Sequence, residues 1–159
     1  MRPLAFVGGA AAIGVMVVGF LWWTRGAHVE LRGEIKKIRT GVLEEKASIA
    51  IIDFRFRNPS DHPFVVRSVD LILEQGDKST PGMVIAEADA RQMFQALPVL
   101  GQMFNDSLKI RDKIGSRQES DRMVAARFEV PESELTARTR FRVRVEEIDG
   151  GVSEIVEAR

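Results

Sequence analysis

The sequence contains no cysteine and no tyrosine, and it has only two histidines. Without cysteine there can be no disulfide, no thiol nucleophile, no thiolate zinc site and no lipid-modified cysteine. His28 and His62 lie far apart in the chain, without the spacing that brings metal ligands together, as in H-E-x-x-H. We therefore expect no metal site and no cofactor.

An excess of charge of one sign is also missing, because 23 basic residues balance 23 acidic residues. A neutral chain has no general electrostatic attraction to nucleic acid or to an anionic bilayer. The motifs of common enzymes are absent too: there is no G-x-S-x-G turn, no phosphate-binding glycine loop and no dinucleotide fingerprint. These absences predict a protein that is not an enzyme and does not bind nucleic acid.

Residues 3–23 form an apolar stretch of 21 residues without a charge, PLAFVGGAAAIGVMVVGFLWW. A helix of these 21 residues would be about 31 Å long, which matches a hydrocarbon core of about 30 Å. Two tryptophans followed by Arg25 are typical of a membrane interface. The sequence predicts a single-pass transmembrane signal-anchor at residues 1–26, in contact with the membrane through residues 3–23, and a domain at residues 27–159.

A cleaved signal peptide is the alternative for this segment. Signal peptides have a shorter apolar region, of about 7–15 residues, followed by a small-x-small site. Here the best cleavage candidate, Thr24-Arg25-Gly26, comes directly after two tryptophans, so we expect an anchor. The membrane orientation stays open, because the basic residues after the stretch favour a cytoplasmic domain but also belong to a folding unit that contains interleaved acids.

Beyond the anchor, apolar and polar residues alternate with the period of two that is typical of half-buried β-strands. Ile52, Phe54 and Phe56, for example, are expected to face a core, opposite Asp53 and Arg55. We expect an all-β, immunoglobulin/fibronectin-like antiparallel β-sandwich of about seven strands with one inserted helix. The predicted strands are 29–35, 49–57, 64–74 with a hairpin into 83–85, 107–114, 122–130, 139–147 and 152–156, with a helical turn at 131–135.

Arginine recurs at every second position near the C-terminus, so one face of a strand is expected to be a row of guanidinium groups. Like charges about 6–7 Å apart repel one another unless neighbouring strands supply acids. Cross-strand ion pairs are one explanation of the row, and a surface that binds phosphate headgroups or acidic polymers is the other. The four residues are Arg138, Arg140, Arg142 and Arg144.

The inserted helix is a second candidate interaction site. Ala90, Met93, Phe94 and Leu97 have helical spacing, and Pro98 ends the run. We expect this apolar helix to cover the open end of the sandwich and complete its core. Methionine and phenylalanine could instead line an adaptable groove for a lipid or a peptide.

Strand 49–57 runs into Asn58-Pro59, and the segments Pro63-Phe64-Val65-Val66 and Val69-Asp70-Leu71 follow. Over residues 30–157 this pattern resembles late embryogenesis abundant (LEA) proteins of the water-stress and hypersensitive-response (WHy) type. The resemblance implies a seven-stranded antiparallel sandwich with one helix, in which Asn58 and Pro59 form a fold-defining turn. It also implies a link to desiccation and stress tolerance, and a membrane-anchored domain outside the cytoplasm.

Two functions remain open at this point. The first is a non-enzymatic, membrane-tethered β-sandwich of LEA/WHy type, either stress-protective or in contact with an envelope component. The second is a binding module that takes a lipid, an anionic polymer or a partner protein through the apolar helix or the arginine row. Exposure of the helix residues would favour the second function, and their burial would favour the first.

Overall fold

In a computed structural model, which describes residues 30–158, apolar side chains that alternate along the strands pack two antiparallel sheets against each other. The strands are β1 (Arg32–Glu44), β2 (Ala47–Arg57), β3 (Phe64–Gln75), β4 (Lys78–Pro81), β5 (Met83–Val84), β6 (Lys113–Ile114), β7 (Glu119–Phe128), β8 (Arg140–Glu147) and β9 (Val152–Val156). The helices are α1 (Glu87–Ala96), a 3-10 helix (Pro98–Leu100) and α2 (Glu132–Thr136).

The first sheet has the strand order β1-β2-β7-β5, and the second has the order β4-β3-β8-β9, with β6 paired to the start of β3. All of these strand pairs are antiparallel. The prediction of an all-β antiparallel sandwich is confirmed. The described residues contain nine strands rather than about seven, and β4, which lies outside every predicted strand, is one of the additional ones.

The predicted strand at 107–114 is wrong. Only an isolated bridge between Ser107 and Met123 and the short β6 form there. Between them the Asp112 carboxylate accepts a hydrogen bond of 3.0 Å from the N–H of Lys109, and Arg111 has a φ of 71°. An aspartate that binds nearby backbone in this way stabilises a turn, so the chain bends instead of remaining extended.

The partner of β3 also differs from the prediction. β4 pairs with the end of β3, and the chain then crosses to the first sheet, where β5 pairs with β7. The crossing needs Gly82, because a Cβ at this position would lie 2.6 Å from Cζ of Phe128. β1 is longer than the predicted strand 29–35, since a bulge between Ile35 and Lys37 shifts its alternation and conceals its second half from a period-two pattern.

The main core lies between the two sheets. Phe128 of the first sheet and Phe141 of the second meet across it, with ring centroids 6.0 Å apart. Burial of such rings favours folding strongly, because each ring removes a large apolar area from water. The fully buried phenylalanines of this core are Phe54, Phe56, Phe64, Phe128 and Phe141.

A second core lies on the outer face of the first sheet. Ile49 and Ile51 of β2 pack there against Ala90 and Phe94 of α1, so β2 is buried on both faces between Ala47 and Phe54. The prediction that the helix covers the open end of the sandwich is therefore wrong, although the helix itself is present. A strand covered on both faces has a nearly continuous apolar run rather than an alternation, as Ser48-Ile49-Ala50-Ile51-Ile52 does.

Residues 30–158 contain no helix that is both long enough and apolar enough to cross a membrane. The predicted signal-anchor at residues 1–26 and His28 lie outside the described residues.

The β2 register makes a testable contrast between adjacent residues. Phe54 is fully buried in the main core, so Phe54→Ala should lower the free energy of unfolding by about 3–5 kcal/mol through lost burial and a cavity. The neighbouring Arg55 lies on the solvent side, where two hydrogen bonds of 2.8 Å join it to Asp121. Arg55→Ala should cost far less. Chemical denaturation followed by circular dichroism would measure both, and equal losses would contradict the register.

Candidate functional site

The arginine row lies on the outer face of the second sheet. Arg140, Arg142 and Arg144 of β8 are partly exposed, and the intervening Phe141 and Val143 are buried in the main core. In the β3–β8 register, Arg140 is opposite Glu74 and Arg144 is opposite Asp70. The sheet thus brings acids next to the arginines from both neighbouring strands, as the pairing interpretation requires.

Three of the four arginines form ion pairs. The Glu74 carboxylate accepts hydrogen bonds from both Arg140 and Arg142, and Arg142 also bonds to Glu154 at 3.1 Å. Arg138 reaches Glu157 with two hydrogen bonds of 2.7 and 2.9 Å. Within residues 30–158 the fourth, Arg144, makes no ion pair. Most of the positive charge on this face is therefore neutralised by the protein's own acids.

The ion pairs shift the pKa values of their members. Hydrogen bonding from Arg140, with the added charge of Arg142, lowers the pKa of Glu74 despite its burial. Burial acts to raise the pKa of Glu157, but the hydrogen bonds from Arg138 and from the N–H of Phe141 outweigh it and lower the pKa. Both carboxylates are consequently held in their charged form.

Most of the apolar helix site is used for packing. Phe94 is buried in the second core, and Met93 and Leu97 are half-buried against it. Leu100, just beyond the helix, is fully buried. These side chains hold α1 against the first sheet.

A buried ion pair between Arg39 and Asp53 fastens the segment that follows α1, and the sequence reading missed it. Asp53 is 3 % exposed. Its Oδ2 accepts a hydrogen bond from Arg39, and its Oδ1 accepts one of 2.9 Å from the Asn105 amide. Arg39 also donates to the carbonyls of Leu100 at 3.1 Å and of Gln102 at 2.6 Å. The alternation that predicted a solvent-facing Asp53 holds for the strand, but the second core covers that face.

The predicted turn at Asn58 and Pro59 connects two loops. The Asn58 amide donates to the carbonyls of His62 at 2.7 Å and of Gly115 at 3.1 Å, and its oxygen accepts from the Ser60 N–H at 3.0 Å. Asn58 is fully buried, and the following Pro59 has no N–H that would need a partner. These contacts give Asn58 a structural role and leave His62 exposed in the turn.

A groove that no sequence pattern predicts lies along one side of the sandwich, between β3 and β5. Its volume is about 600 Å³, within the usual range for ligand sites. We call it the edge groove. It is lined by residues 68–70 of β3, Gly82, Val84, residues 85–87 and residues 107–110. The Lys109 ammonium at this groove is 2.9 Å from the Glu87 carboxylate.

Within residues 30–158 there is no cluster of three or more side chains that could hold a metal ion. Comparisons with family models, curated protein sequences and solved structures give no match to this chain. The resemblance to LEA proteins of the WHy type therefore stays a prediction.

The Glu74 ion pairs predict an acid-sensitive contribution to stability. Because the folded state lowers the pKa of Glu74 below its ordinary value of 4.5, this contribution is present above that pH and is lost as the pH falls through the folded pKa. Glu74→Gln should destabilise the protein at pH 7 and reduce its loss of stability on acidification. Denaturation curves at pH 7 and at pH values below 4.5 would measure both effects.

Asp70→Asn is the matched control, because Asp70 lies on the same face of β3, opposite Arg144, but makes no ion pair within the described residues. It should change both quantities much less. Equal effects of the two variants would contradict a special role for Glu74.

Proposed function

We propose that this chain is a non-enzymatic β-sandwich protein of LEA/WHy type, tethered to a membrane by residues 3–23 and either stress-protective or in contact with an envelope component. The observation that carries the proposal is the short length of chain between the apolar stretch and the first buried residue of the sandwich. Leu31 is already buried, and its N–H donates to Ser153 Oγ at 2.8 Å. Residues 24–30 can span at most about 24 Å, so such a tether would hold the domain close to the bilayer.

The strand order supports the finer part of the fold prediction, an immunoglobulin/fibronectin-like sandwich. Constant-type immunoglobulin domains have strands A, B, E and D in one sheet and C, F and G in the other. Here β1-β2-β7-β5 takes the place of the first sheet, and β3-β8-β9 takes the place of the second, with β4 added at its edge. Domains of this class commonly serve as scaffolds for contacts at their edges and loops.

The two surfaces that the sequence suggested, the arginine row and the apolar helix, are poorly suited to binding a ligand. Arg138, Arg140 and Arg142 already have acidic partners, and Phe94 is buried beneath its own helix. An anionic polymer would have to compete with internal carboxylates for the paired arginines. We therefore favour a scaffold in which neither the arginine row nor the apolar helix serves as a ligand site.

Membrane fractionation, together with protease treatment of cells from which any wall and outer membrane have been removed, tests the proposal. Because residues 3–23 form an uncharged span, the full-length protein should sediment with membranes and resist extraction by high salt. The domain should then be cleaved by protease added outside the cytoplasmic membrane, since we propose that it faces away from the cytoplasm. Ile13→Arg together with Val17→Arg should release the protein, because charges at the bilayer centre oppose insertion.

The control is Val42→Arg, which places the same charge at an exposed site of the sandwich and should leave sedimentation unchanged. A soluble wild-type protein that lacks its N-terminal residues would show cleavage of a signal peptide and overturn the tether. A membrane-bound domain that resists outside protease, but is cleaved after lysis, would reverse the orientation.

A further inference from the structure

The edge groove lies where the edges of the two sheets do not meet. On the side of the second sheet, the edge of β3 is paired at both ends. At one end, the Val66 carbonyl accepts a hydrogen bond of 2.7 Å from the N–H of Arg111, and the Val66 N–H donates one of 3.0 Å to the Asp112 carbonyl. At the other end, the Leu71 carbonyl accepts a hydrogen bond of 2.8 Å from the N–H of Gly82. Within the described residues, no strand pairs with residues 67–70 on this edge.

This gap exposes strand backbone to the groove. Successive backbone groups of a strand point to opposite edges, so Val69, two residues before Leu71, directs its N–H and C=O to the same edge. The gap is about four residues long, or roughly 13 Å. Unpaired strand edges of this kind are templates for pairing with another extended segment.

Ser107 adds a second unused polar group. It is 5 % exposed and lines the groove, and its Oγ has no hydrogen-bond partner within the described residues. A buried hydroxyl without a partner is costly, so native proteins nearly always satisfy it. A ligand in the groove would have this hydroxyl available as a donor or an acceptor.

The remaining walls are largely apolar. Val84 and Ile110 line the groove and are 40 % and 66 % exposed, and Met83 beside it is 69 % exposed. These are among the most exposed large apolar side chains of the described residues, and their grouping at one site is typical of an interaction surface.

Charge decides between the two classes of apolar ligand that such a groove could take, a fatty acid and a peptide. Lys109 is the cation that lines the groove, and it is already paired with Glu87. The carboxylate of a fatty acid would find no free cation among the lining residues, and its hydrocarbon chain would leave Val69 and Ser107 without partners. An uncharged peptide supplies backbone donors and acceptors together with an apolar side chain.

We propose that the edge groove binds an extended, uncharged segment of a partner protein, which adds as a short strand to the free edge of β3. The backbone of the segment pairs with Val69, an apolar side chain occupies the space between Val84 and Ile110, and a polar group bonds to Ser107. This inference goes beyond the proposed tether and holds whether or not the chain is membrane-bound.

Photo-crosslinking of the full-length chain tests the proposal. The probe is a blocked hexapeptide of alternating threonine and valine in which one central valine is replaced by benzoylphenylalanine. After irradiation, mass spectrometry should locate the crosslinks at residues that line the edge groove. An otherwise identical peptide with N-methylated backbone amides cannot pair as a strand and should label at least about tenfold less.

Two isoleucines provide a matched pair of variants. Ile110→Asp places a charge in the groove and should reduce labelling at least about tenfold, whereas Ile148→Asp, at a similarly exposed site in the β8–β9 turn, should leave it unchanged. Ser107→Ala should weaken labelling roughly two- to tenfold through one lost hydrogen bond. Circular dichroism would establish that all three variants are folded.

Labelling spread over the surface, or equal labelling by the N-methylated peptide, would overturn the proposal. So would unchanged labelling of Ile110→Asp. Displacement of the peptide by lauric acid, together with equal binding of the N-methylated form, would identify the groove as a lipid site instead.

Discussion

The buried ion pair between Arg39 and Asp53 is the interaction on which the arrangement of this domain depends. It joins β1 to β2, and through the carbonyls of Leu100 and Gln102 it holds the segment after α1 on the first sheet. The Arg39 guanidinium also lies 4.8 Å from the centroid of the Phe94 ring. A buried charge that loses its partner typically costs about 3–5 kcal/mol, so this pair holds the second core firmly on the first sheet.

The same arrangement determines which surfaces are left for contacts. The outer face of the first sheet is covered by α1, and much of the charge on the outer face of the second sheet is neutralised by cross-strand pairs such as Arg142 with Glu154. The edges of the sheets are places where strand backbone can remain unpaired. The edge groove is such a place, because the chain crosses between the sheets at Gly82 and leaves part of β3 without a partner strand.

The sequence predicted the features that depend on neighbouring residues in the chain. The alternation around Phe54, the helical spacing through Phe94 and the turn at Asn58 all correspond to observed structure. Contacts between distant segments could not be predicted from such local patterns. Nothing near Asp53 in the sequence indicates that Arg39 is its partner or that residues 87–105 cover it, so alternation alone placed it in solvent.

The errors have the same origin. The predicted strand 107–114 has a suitable apolar pattern, but a local hydrogen bond between Asp112 and Lys109 turns the chain. The long β1 was predicted only in part because one bulge reverses its alternation. The edge groove depends on the absence of a strand beside residues 67–70, and an absence of pairing leaves no pattern in a single sequence.

Hydrogen exchange of Asp53→Asn, followed by mass spectrometry, tests the central claim most directly. Asparagine keeps the size of the side chain and removes the charge that Arg39 requires. If the ion pair holds the second core in place, amides of residues 87–105 should exchange at least about tenfold faster in the variant, while β3 and β8 keep their protection. Unchanged exchange in residues 87–105, or an equal loss of protection in both sheets, would contradict this account.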